Sequence, residues 1–81
     1  MYNDLINEKV TVLVASRGDY VLEYVGTLVD EQAELMELRD VDISYLMLSF
    51  QKGFFGDGIS RYKENIGKVF INKKYVISCN R

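Results

Sequence analysis

Asn72, Lys73 and Lys74 stand together in a chain of 81 residues that has no histidine and a single cysteine. An asparagine amide can read a base edge while lysines neutralise phosphate, so the triplet is the first candidate nucleic-acid contact. The same residues also suit a solvated turn between two strands. A second candidate lies upstream, where Lys52, Arg61 and Lys63 are interleaved with Phe54, Phe55 and Tyr62. Cations mixed with aromatic faces are what single-strand binders use. The plainer alternative there is a hairpin tip whose Phe pair packs on the protein or a neighbour.

Other chemistries fall away on residue type. Without histidine there is no Ser-His-Asp triad, no Cys-His pair and no imidazole metal ligand. One thiol excludes a four-cysteine zinc or iron–sulfur site, and Cys79 has no basic partner of the right kind to make it a nucleophile. Residues 40–44 begin like a calcium loop, but Tyr45 stands where the loop needs glycine and Gln51 where it closes with glutamate. Arg17-Gly18-Asp19 reads as a hairpin turn. The chain is expected not to be an enzyme and to need no metal or cofactor.

Charge is unevenly spread. Residues 1–50 carry a balance of −7 and residues 51–81 one of +5, within a total of −2. Such a split fits either a polyanion partner for the basic part or complementary charge on neighbouring strands. No apolar stretch approaches the roughly 20 residues that cross a bilayer, and the first residues lack a basic segment followed by an apolar one. A cytoplasmic setting, with no membrane partner, is expected.

The elements that must position these residues are mostly strands. Residues 2–8 suggest one or two turns of helix, capped by Asn3 or Asp4, that must dock on something larger. Residues 9–16 are rich in branched side chains. In residues 20–29, Leu22, Tyr24, Gly26 and Leu28 share one face, and Gly26 marks a bend in a long strand. Met36 and Leu38 lie in one phase and Val41, Ile43 and Tyr45 in the other, which places a bulge near Arg39 and Asp40. That strand runs on to residue 50. Residues 51–65 are the least regular part and are expected to be a variable loop. Alternation returns at Val69 and Ile71, and residues 75–79 make a last short, apolar strand.

One domain spanning residues 1–81 follows, all-β: a small, strongly bent, five-stranded antiparallel barrel of the SH3 or OB size class with a short N-terminal helix. A chain of this size buries only about 60% of the surface that its unfolded form exposes. With disulfides and metals closed to it, oligomerisation is the remaining route to stability, and an apolar terminal strand is a ready pairing edge.

The order of these features resembles the Sm-like family (Sm, LSm and Hfq proteins) over roughly residues 5–79. Residues 10–15, Gly18, Gly26-Thr27-Leu28 and the acidic stretch 30–40 are similar to the first Sm motif. Residues 67–73 and 75–77 are similar to the second. The resemblance implies a homo-oligomeric ring of five to seven subunits, in which the last strand of one subunit pairs with the fourth of its neighbour. Val69, Ile71, Tyr75, Val76 and Ile77 are then the candidate interface. It also implies single-stranded RNA as partner, held by Gln32, Asn72, Lys73 and Lys74 with help from Lys52, Arg61 and Lys63. The family's Asp-x-x-Met-Asn segment is replaced here by residues 32–37, and its Arg-Gly by Asn72-Lys73. Glu31, Glu34 and Glu37 would repel phosphate if they faced a pore. Three functions therefore stand: an RNA-associated ring or scaffold, a protein-interaction ring without nucleotide recognition, and a monomeric SH3-like module that binds a peptide at an exposed edge.

Overall fold

The computed structural model describes residues 2–16, 20–47 and 59–81. Among them run five strands: β1 (Lys9–Ala15), β2 (Tyr20–Glu31), β3 (Leu35–Met47), β4 (Ile59–Asn72) and β5 (Val76–Asn80). All neighbouring pairs are antiparallel, in the single sheet order β4-β3-β2-β1-β5. No described helix is long and apolar enough to cross a membrane.

Alternation sets the buried face. Val10, Val12 and Val14 of β1 point inward, and Leu28, Met36, Leu38 and Val41 join them with Leu5 and Ile71 in one cluster. Leu22, Tyr24 and Ile43 pack against it, so the β2 face that carries Leu22, Tyr24, Gly26 and Leu28 is turned to the core. The change of phase in β3 is a bulge. Val25 pairs with Asp42 and Thr27 with Arg39, so Asp40 and Val41 together oppose Gly26. Asp40 sits in the left-handed region at φ 54°, as a bulge residue can. Gly26 is required there: a Cβ at this position would lie 2.9 Å from the Arg39 carbonyl oxygen and 2.9 Å from Val41 Cγ2. The missing side chain lets two backbones approach and the long strands fold over the core.

The expected five antiparallel strands are present, joined among the described residues as one open sheet. β4 and β5 are opposite edges of one open sheet, with no ladder between them. Curvature nevertheless brings Ile71 of β4 into the core cluster and lays Val76 and Cys79 of β5 against it.

Two local expectations change. The N-terminal helix is a three-residue 3-10 turn, Asn3–Leu5, with no side-chain cap. Too few residues are available for a helix to propagate, and backbone bonds satisfy its amides instead: Leu5 N–H donates to the Tyr2 carbonyl at 2.9 Å. The segment docks as expected, through Asn7 N–H to the Leu28 carbonyl (2.6 Å) and Leu28 N–H to the Glu8 carbonyl (3.0 Å). β4 begins at Ile59, inside the stretch expected to be a loop; residues 48–58 lie outside the described residues. The long ladder offered by β3, from Met47 opposite Ile59 to Leu35 opposite Asn72, imposes strand on a stretch whose own pattern is weak.

Candidate functional site

At one end of the sheet the turn between β2 and β3 meets the 3-10 turn Lys73–Tyr75 that joins β4 to β5. The ladders bring them there: β2–β3 pairing ends at Glu31 opposite Met36, and β3–β4 pairing ends at Leu35 opposite Asn72. Gln32 N–H to the Leu35 carbonyl closes the first turn, and Lys73 N–H to the Glu34 carbonyl stitches the two together, both at 2.8 Å. Asn72 caps the 3-10 turn, its Oδ1 accepting from Lys74 N–H at 2.9 Å. This is the side-chain-to-backbone bond that asparagine favours at a turn.

The centre of this corner is Glu31, whose side chain is 3% exposed. One carboxylate oxygen accepts from the Lys73 ammonium at 2.6 Å, the other from Tyr2 N–H at 2.8 Å. The Lys73 ammonium also donates to the Gln32 carbonyl at 3.0 Å and lies 5.8 Å from the centre of the Tyr2 ring. The hydrogen bond from Lys73 holds the Glu31 carboxyl below its ordinary value. Desolvation pushes the other way, and the Tyr2 amide and the Lys73 charge reinforce the lowering. One ion pair thus ties the N-terminal segment, the end of β2 and the β4–β5 turn together.

Beside the pair an open cleft of about 550 Å³ is lined by Tyr2, Ala33, Glu34, Asn72, Lys73 and Lys74. A smaller hollow of about 220 Å³, reached by Asn3, Glu31 and Gln32, adjoins it through Ala33 and Lys73. Four of the residues singled out in the sequence, Gln32, Asn72, Lys73 and Lys74, are therefore brought to one corner. Their roles differ. Lys73 spends its charge on Glu31. Gln32 directs its side-chain amide to Asp30 at 3.3 Å. Among the described residues Lys74 is the cation left at the cleft, its ammonium 5.7 Å from the Tyr75 ring centre. Lys52 lies outside the described residues, as do the side chains of Arg61 and Lys63, although the backbone of both belongs to β4.

The interface candidates also divide. Ile71 is 4% exposed and belongs to the chain's own core, while Val69 and Val76 are half-buried against it. Tyr75 and Ile77 are exposed, at 50% and 58%. Ile77 is the bulged residue of β5, since Leu13 pairs with Ser78 and Val14 with Val76. The Cys79 thiol is half-buried, and that burial, with the Glu31 charge, raises its pKa.

Glu31 and Tyr2 are the parts of the corner whose role the sequence left hidden. An acid at the inner end of an apolar strand hinted at a buried partner, but nothing in the sequence named Lys73. No protein-family model matches the chain, and none of the curated proteins matches it either.

Proposed function

We propose that the chain is one subunit of a homo-oligomeric Sm-like ring of five to seven copies, which holds single-stranded RNA at the corner between residues 32–34 and 72–74. The strand order carries this reading. β4 and β5 are the two free edges of one curved sheet, and an edge of each kind on every copy is what head-to-tail closure needs. Exposed Ile77 in β5, Tyr75 just before that strand, and Phe70 on β4, 56% exposed, supply apolar contact area along those edges. A ring repeats the corner in every subunit, so one weak cation per subunit sums to useful affinity.

The Glu31–Lys73 pair favours a second reading, a protein-interaction ring without nucleotide recognition, because it neutralises a lysine that would otherwise meet phosphate. An oligonucleotide titration across a salt series separates the two. RNA binding requires affinity that falls as salt rises, because phosphate contacts release counterions. Absence of binding even at low salt gives first place to the interaction ring.

A further inference from the structure

We propose that the Glu31–Lys73 pair gates the RNA-binding corner: a charged Glu31 withholds Lys73 from phosphate, and a neutral Glu31 hands it over. The gate rests on the RNA-binding reading above and names its regulation. The Lys73 side chain is 18% exposed and lines both hollows of the corner, whereas the Glu31 side chain is 3% exposed. An RNA strand can therefore approach the cation but not the carboxylate. At 2.6 Å the two charges nearly cancel, so a phosphate at the cleft meets a lysine with little net field.

Neutralising Glu31 changes the charge of the corner and leaves its shape. The ammonium has three donors, and the Gln32 carbonyl at 3.0 Å and the Tyr2 ring at 5.8 Å hold it whether or not Glu31 is charged. Tyr2 N–H can donate to either form of Glu31. Each subunit thus gains one uncompensated positive charge at a fixed place. The amino terminus of the chain acts on Glu31 in the same sense as Lys73, and Cys79 of β5 feels the Glu31 charge in turn. On its own strand and turn stand Asp30, bonded by Gln32 at 3.3 Å, and Glu34. The Lys73 hydrogen bond holds the Glu31 carboxyl below its ordinary value of 4.5, so the gate is shut at neutral pH and opens only in acid below 4.5.

The test is fluorescence anisotropy on the assembled protein across a salt series, with oligouridine, whose base gains no proton in this range. Glu31→Gln at neutral pH imitates the open gate. Each lysine freed onto phosphate should steepen the plot of log affinity against log salt by about 0.7, and low-salt binding should tighten roughly fivefold. Adding Lys73→Ala should abolish the gain. Wild type taken below pH 4.5 should steepen more than Lys73→Ala does, a subtraction that removes the titration of Asp30 and Glu34, which both proteins share. Circular dichroism follows the sheet in both arms, and where one arm unfolds the protein the other decides. Loss of the fold in both overturns the gate, because the charge then serves the fold alone. A Glu31→Gln slope equal to wild type overturns it and leaves RNA binding standing. So does Lys73→Ala flattening the slope as much at neutral pH as in acid, since the pair then opens to RNA unaided. No binding under any condition overturns both the gate and the RNA-binding reading.

Discussion

The bend at Gly26 and the corner at Glu31 lie in the same strand, five residues apart, and hold their neighbours by opposite means. At Gly26 the absence of a side chain brings the backbone of Arg39 and Val41 close, inside a cluster of Val10, Val12, Leu28 and Leu38 with almost no exposure. At Glu31 a charged side chain reaches across 42 residues to Lys73 and across 29 to Tyr2. Shape fixes the first region, and it has no freedom to change. Charge fixes the second, where the Lys73 hydrogen bond holds the Glu31 carboxyl below its ordinary value. The difference teaches where function can reside in so small a chain: at the polar end, on a base that the apolar bend makes rigid.

Breaking the apolar side should have the largest effect. Gly26→Val puts a branched side chain where even a Cβ meets backbone at 2.9 Å. A loss of about 3 kcal/mol or more is expected, which lowers the melting temperature of a domain this size by at least ~12 °C. Wild-type melting in that variant would mean that β2 and β3 do not approach closely at the bulge.

Ile77→Asp probes the edge of the sheet. The side chain is exposed within the subunit, so the folded monomer should survive while a charge placed in an assembled interface costs the assembly. Size-exclusion mass should fall to that of the monomer. Val76→Pro is less selective, because the Val76 amide donates to the Lys73 carbonyl inside the subunit and its loss would also disturb the turn.

The polar corner should break more gently and in a pH-dependent manner. Glu31→Gln removes the charge-assisted bonds and is expected to cost roughly 1–3 kcal/mol at neutral pH. Because the folded Glu31 carboxyl titrates below its ordinary value of 4.5, its contribution is present above that pH and lost as the pH falls through the lower folded value. The gap in melting temperature between wild type and Glu31→Gln should therefore be constant near neutrality and narrow below pH 4.5. A gap that widens on acidification would contradict the pair.

The smallest effects separate the two lysines. Lys74→Ala should flatten the salt dependence of RNA binding with little change in melting temperature, since the exposed Lys74 ammonium lies over the Tyr75 ring and is not in an ion pair among the described residues. Lys73→Ala should lower the melting temperature and change the salt slope less, because its charge is already held by Glu31. Equal salt effects from both would mean that the ion pair opens when RNA arrives.

Much of the apolar side was legible in the sequence. Alternation at Val10, Val12 and Val14, the glycine in β2 and the change of phase after Leu38 each report a local constraint that the chain must satisfy wherever it folds. The rest depended on partners far along the chain. Residues 59–65 carry little alternation of their own and become strand because β3 is there to pair with them. Whether β4 and β5 meet within one subunit is settled by curvature summed over the whole sheet, which no local pattern encodes. At the corner, Asn72, Lys73 and Lys74 were visible as chemistry. That Lys73 would turn inward to Glu31 was not, since an ion pair over 42 residues leaves no mark in spacing.

Native mass spectrometry of the wild-type chain tests the central claim most directly, because free β4 and β5 edges on every copy must find each other if the ring is real. One closed species of five to seven copies of the 9.4 kDa chain is expected, lost in Ile77→Asp. A wild-type spectrum dominated by the single 9.4 kDa chain at micromolar concentration would contradict it.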